Sequence, residues 1–163
     1  MNLSEGCVLR RFEMGARWFR GLAVLVFVGN LAACATGEEA KKEPSLYQRL
    51  GGREGIALVV DDFVANAVAD NRINARFKDL KPPEVFKLKS NLADQICEAT
   101  GGPCAYLGRD MKTVHKGMNI TEAEWNATVD DLVKALDKHK VPEKEKKELL
   151  GLLGPMKPDI VGQ

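Results

Sequence analysis

From Ser45 onward the apolar residues of this chain recur with a helical period, and no stretch alternates as a strand does. That pattern confines the fold to packed helices. In "GGREGIALVVDDFVANAVADN", Ile56, Val59, Val60, Phe63, Val64 and Ala67 follow at offsets of 3, 4, 7, 8 and 11. Gly51 and Gly52 separate this helix from a short lead-in turn, "SLYQRL". A second helix opens at Pro82 and Pro83, where a missing amide donor costs nothing, and its stripe is Val85, Leu88, Leu92 and Ile96. A third starts at Thr121 with Glu124 at capping-box spacing and carries Trp125, Val129, Leu132, Val133 and Leu136. The last, from Pro142 and Glu143, carries Leu149, Leu152, Leu153, Met156 and Ile160, with Pro155 and Pro158 expected to end or kink it. The expected class is all-α, with four substantial helices and short connecting pieces.

The ends of the chain read differently. Arg17 and Arg20 precede an apolar run from Leu22 to Ala33, and Cys34 follows it. A basic flank, a short apolar core and small residues before the break make a secretory signal; a membrane span needs about 20 apolar residues. "LAAC", Leu31 to Cys34, is similar to a bacterial lipobox, which implies cleavage before Cys34 and its diacylation. An ordinary signal peptide beside an incidental cysteine is the alternative. The expected organisation is therefore a lipoprotein-type signal peptide over 1–33, with Met14 as an alternative start that leaves Cys7 outside the product. A lipidated cysteine and polar tether follow over 34–44, then a helical domain over 45–163. The expected location is the cell envelope, anchored to membrane and facing the periplasm, with the outer membrane as destination. With 24 basic and 23 acidic residues, the chain lacks the electrostatic footprint of a nucleic-acid partner. An apolar content of 45% is enough for a compact core.

One stretch, "GGPCAYLGRDMKTVHKGMNIT", holds His115, one of two histidines in the chain. Alone it is a weak signal, because a histidine on an apolar helix face is more often a satisfied core residue than a ligand. Met111 and Met118 share its helix face. No C-x-x-C-H pattern is present, so covalent c-type haem attachment is excluded. A zinc site from Cys97, Cys104 and His115 lacks a fourth ligand. His139, between Lys138 and Lys140, reads as solvated.

The order "SLYQRLGG", "VVDDFVANAVADN", "RFKDL", "GGPCAYLGRDMKTVHKGMNIT" resembles the group I truncated haemoglobins, from Ser45 to Val161. The resemblance implies a two-over-two helical sandwich holding haem b, with His115 as the proximal ligand to iron and hence the metal-binding residue. It also implies that Phe77 stacks against the haem, that Phe63 packs at its usual position on the second helix, and that Tyr106 braces the loop. Leu88, Leu92 and Met111 complete the implied cofactor pocket. The distal side departs from the family pattern. Val64 stands where many members have a tyrosine; Leu88 and Leu92 fall on the common distal glutamines, and Asn91 on a distal histidine of some members. Gln95 and Asn91 are candidate substitute donors; Gln95 lies on nearly the same face as Leu88 and Leu92, or else is a surface amide. Dioxygen drawn to haem iron carries partial negative charge, and a donor stabilises it by about 1.5–3 kcal/mol. Its loss weakens oxygen retention about ten- to a hundredfold. Nitric oxide and carbon monoxide depend less on such a donor.

Cys97 and Cys104 bracket "EATGGP". In the expected oxidising compartment they form a disulfide, with two free thiols as the alternative. The favoured function is reversible binding of a diatomic gas (oxygen, nitric oxide or carbon monoxide), as carrier, sensor or scavenger. A nitric oxide dioxygenase or peroxidase-like enzyme, drawing on an external reductase, is the runner-up. A haem-free envelope lipoprotein is the third reading.

Overall fold

The computed structural model describes residues 43–163. The signal sequence, Cys34 and nearly all of the tether lie outside the described residues. Ser45 starts the first turn with a reciprocal cap: the Gln48 N–H donates to Ser45 Oγ, and the Ser45 N–H donates to Gln48 Oε1. α1 is therefore short, Leu46–Arg49, and Gly51 then reverses the chain at φ 86°. In that left-handed region glycine alone is unstrained. α2 runs Gly52–Ala69 and stops at Asp70, whose carboxylate accepts from the Arg72 N–H. A 3₁₀ turn, Asn74–Arg76, leads to α3, Pro82–Ala99. A loop, the five-residue α4 (Met111–His115), α5 (Glu122–Lys138) and α6 (Glu143–Leu153) complete the chain.

α2 packs against both α3 and α5. Val60, Val64, Ile96, Leu132, Leu136 and Leu149 bring four helices into one core, and Leu136 is fully enclosed. Burial of each such side chain contributes about 1.5–3 kcal/mol. A smaller cluster of Ala67, Ile73 and Ala127 lies beside it, with Phe77 against its edge. The described residues hold no strand; an isolated parallel bridge joins Ile120 to Val161.

Two expectations are corrected. The apolar stripe of the last helix is set by Leu149, Leu150 and Leu153, while Leu152 is exposed. The α-helix ends at Leu153 and tightens into a 3₁₀ segment, Gly154–Asp159, at the prolines, which shifts Met156 and Ile160 out of register. His139 is three-quarters buried, not solvated, because its Nε2 lies 2.7 Å from Asp62 Oδ2 on α2. Lys138 Nζ meets the other oxygen of the same carboxylate at 2.6 Å. These two bonds hold the Asp62 carboxyl below the usual carboxylate range.

Candidate functional site

His115 is carried by a helix too short to bury anything of its own, so its position depends on ties at each end. Asp110 caps α4: its carboxylate accepts from the Thr113 N–H at 2.9 Å, which also lowers its pKa. The His115 Nδ1–H donates to the Met111 carbonyl at 2.8 Å. A carbonyl only accepts, so Nδ1 carries the proton; in the neutral imidazole Nε2 then keeps its lone pair, the tautomer of a metal-ligating histidine. Downstream, Arg76 Nη1 donates to the Met118 carbonyl at 2.8 Å, and Arg76 Nε to Glu124 at 2.7 Å. This pair binds the turn before Phe77 to the segment after His115. The C-terminal tail adds a second strap: Asn119 N–H donates to the Gln163 carbonyl at 2.6 Å, and Gly162 N–H to that of Ile120 at 2.9 Å.

Upstream, Cys97 at the end of α3 is bonded to Cys104 in the loop, with Cα atoms 5.8 Å apart. Gly102 lies between them because nothing larger fits. A Cβ there would sit 2.5 Å from the Tyr47 ring and 2.6 Å from Cys97 Sγ. Tyr106 Oη donates to the Arg109 carbonyl at 2.8 Å, folding the last stretch of loop before Asp110.

Phe63, Leu88 and Leu92 are half-buried and pack on the main core, whereas Val64 is buried within it. Phe77 is half-buried on the smaller cluster. Asn91 and Met111 are also half-buried. Gln95 is half-buried on α3. Its amide nitrogen is turned onto two thioethers, 3.6 Å from Met111 Sδ and 3.4 Å from Met156 Sδ. Met111 opens α4, so the Gln95 side chain reaches the histidine-bearing helix. A separate open cleft of about 560 Å³ is lined by charged and polar groups including Asp70, Arg72, Asp131 and Lys134, and does not include His115.

The periodicity of the sequence contains no signal for the Arg76 tie, the tail strap or the Gln95 contacts, each of which joins single residues from distant segments. Arg76 stands next to Phe77, and that adjacency was the one available hint.

Among the described residues no group of three or more His, Cys, Asp or Glu converges to hold a metal ion. His115 offers a single imidazole nitrogen, and Phe63, Leu88, Leu92 and Phe77 stand half-buried on the two apolar clusters. A flat, largely apolar macrocycle whose metal needs one axial protein ligand fits that set. The class so defined is a haem-pocket protein built from a short helical sandwich.

Residues 45–161 match the family model described as bacterial-like globin. The chain is 34% identical over 121 residues to the group 1 truncated hemoglobin GlbN of Mycolicibacterium paratuberculosis, covering 74% of this chain and 87% of that one. A crystal structure of truncated hemoglobin from Tetrahymena pyriformis superposes with a TM-score of 0.69 at 25% identity, covering 74% of this chain and all of that one. The 2/2 hemoglobin of Synechococcus sp. PCC 7002, solved with covalently attached heme, gives 0.66 at 27% identity, over 72% of this chain and 98% of that one. The chain belongs to the group 1 truncated haemoglobins.

Proposed function

We propose that His115 Nε2 is the one protein ligand to haem iron, and that the protein takes up a diatomic gas as carrier, sensor or scavenger at the cell envelope. Haem-based gas binding follows from the family, and haem supplies the metal that coordinates the gas. The residues of this chain do the rest. The Met111 carbonyl would hold the imidazole in the ligating tautomer, and Phe77 and Leu92 would shield a bound haem from water. The carrying observation is the bond from His115 Nδ1 to Met111 at 2.8 Å, which leaves the outward nitrogen free to ligate.

Val64, Leu88 and Leu92 contribute no hydrogen-bond donor, which leaves the amides of Asn91 and Gln95, the latter lying against Met111 and Met156. Where neither amide reaches the gas, dioxygen would forgo the roughly 1.5–3 kcal/mol of a charge-assisted hydrogen bond, which would tilt the pocket toward nitric oxide and carbon monoxide. Catalysis of O–O cleavage needs a positioned acid–base group, and these aliphatic side chains provide none, which supports binding over peroxidase-like chemistry. Turnover with nitric oxide would need an external reductase as partner. Lipid anchoring through Cys34 and an envelope location rest on the sequence pattern.

Optical spectra of the ferric, ferrous and carbon-monoxide forms of the wild type and of His115→Gly test the assignment. Loss of the histidine-ligated signature in the variant, with recovery on added imidazole, is the expected result. An unchanged spectrum refutes it. Nitrate yield from nitric oxide under oxygen separates gas binding from dioxygenation.

A further inference from the structure

We propose that the Cys97–Cys104 disulfide is a site of thiol–disulfide exchange, attacked at Cys104 by a dithiol reductant, and that its opening loosens the placement of His115. The two sulfurs are unequal. Cys97 is fully enclosed in the core, while Cys104 is partly open to solvent in the loop. An incoming thiolate therefore reaches Cys104 Sγ and not its partner. Arg53 marks that approach: its Nη1 lies 3.1 Å from Cys104 Sγ, and its side chain is half-exposed. The same nitrogen is held at 2.7 Å from Asp94 Oδ1, which fixes the guanidinium beside the sulfur. A fixed cation there attracts the anionic nucleophile and stabilises the negative charge shared along the three sulfurs as the bond exchanges.

The chemistry balances with a dithiol as sole co-reactant. Its first thiolate bonds to Cys104 Sγ as the Cys97–Cys104 bond breaks, and Cys97 leaves as a thiolate that takes a proton. The second thiol of the reductant then attacks its own sulfur in the mixed disulfide and releases Cys104. Two electrons and two protons pass to the cysteines, and the dithiol ends as a disulfide.

The consequence for the haem side follows from how little else holds the loop. Between Gly102 and Asp110, Tyr106 N–H donates to Glu98 Oε2 at 3.3 Å, and Tyr106 Oη bonds within the loop itself. Leu107 is almost wholly exposed. With the disulfide opened, α3 stays joined to the segment delivering α4 by that long hydrogen bond, by the Gly102 N–H to the Cys97 carbonyl at 2.8 Å and by the Gln95 contact with Met111, none of them covalent. This second half of the proposal rests on His115 being the iron ligand; the exchange half does not.

The test uses the full haem-loaded chain. Thiol release by dithiothreitol, followed by mass tagging, is expected to slow about threefold or more in Arg53→Gln, the size of a modest electrostatic contribution. Arg53→Lys should recover most of the rate, and Asp94→Asn, which breaks the ion pair but keeps the cation, should not fall with Arg53→Gln. Equal rates in wild type and Arg53→Gln overturn the guided attack. Separately, haem transfer to an apoglobin acceptor is measured before and after reduction by a phosphine that does not ligate iron. Reduction should accelerate transfer about tenfold and shift the iron–histidine stretching band. Cys97→Ala/Cys104→Ala should show the accelerated rate with or without the phosphine. Identical transfer rates in oxidised and reduced wild type overturn the coupling. A His115→Gly spectrum that still shows histidine ligation identifies the ligand assignment, and not the disulfide, as the part at fault.

Discussion

At the scale of single residues, the chemistry of the site turns on a few hydrogen-bonding choices. The His115 imidazole is oriented by one carbonyl, that of Met111. No side chain substitution removes that acceptor, so the orientation survives most changes on α4. The ligand side is more easily altered. Leu92→Gln places an amide where this pocket has an aliphatic chain, and the oxygen dissociation rate should fall about ten- to a hundredfold, as stopped-flow exchange with carbon monoxide will show. Gln95→Leu should leave that rate unchanged, since the Gln95 amide is turned onto Met111 and Met156. A faster oxygen off-rate in that variant would mean that the glutamine reaches the ligand in solution.

At the scale of elements, short helices depend on caps and ties more than on burial. α4 has no buried residue, so the Asp110 cap is a large share of what defines it. Asp110→Ala should remove that cap and raise the rate of haem transfer to an apoglobin acceptor while leaving the urea unfolding midpoint nearly unchanged. The link between the Phe77 turn and the α4–α5 connection is Arg76 to Glu124. That guanidinium, followed by the Thr121 N–H, brings the Glu124 carboxyl down from 4.5 to about 2. The folded form thus binds this proton more weakly than the unfolded chain does. Its stabilisation is complete above pH 4.5 and is lost as the pH falls toward about 2. Acid titration of Glu124→Gln should accordingly show a flatter decline of stability over that window, read by urea midpoints.

At the scale of the whole molecule, α2 is the helix against which the others are assembled, and Leu136 and Leu149 close the core from α5 and α6. Leu136→Ala should destabilise the fold by about 2–5 kcal/mol, measurable by urea unfolding of the haem-loaded protein. Helix number and the main boundaries were legible in the sequence because amphipathic period, Pro82, Thr121 and Pro142 act locally. The candidate ligand His115 became legible once the motif "MKTVH" was taken with the glycine pairs around it. The exposure of Leu152 was not legible, since a helical period cannot tell how a helix is rotated once prolines tighten its end. Nor was the burial of His139, which depends on Asp62 lying 77 residues earlier in the chain. By itself, then, the sequence determined an all-helical chain, because periodicity and caps are properties of neighbouring residues, and the order of its motifs resembled a globin in which His115 is the candidate haem ligand. Only the tertiary structure decided which imidazole nitrogen is free, where the Gln95 amide points and what holds α4 in place. Those depend on contacts between residues far apart in the chain, which exist only after the helices have packed.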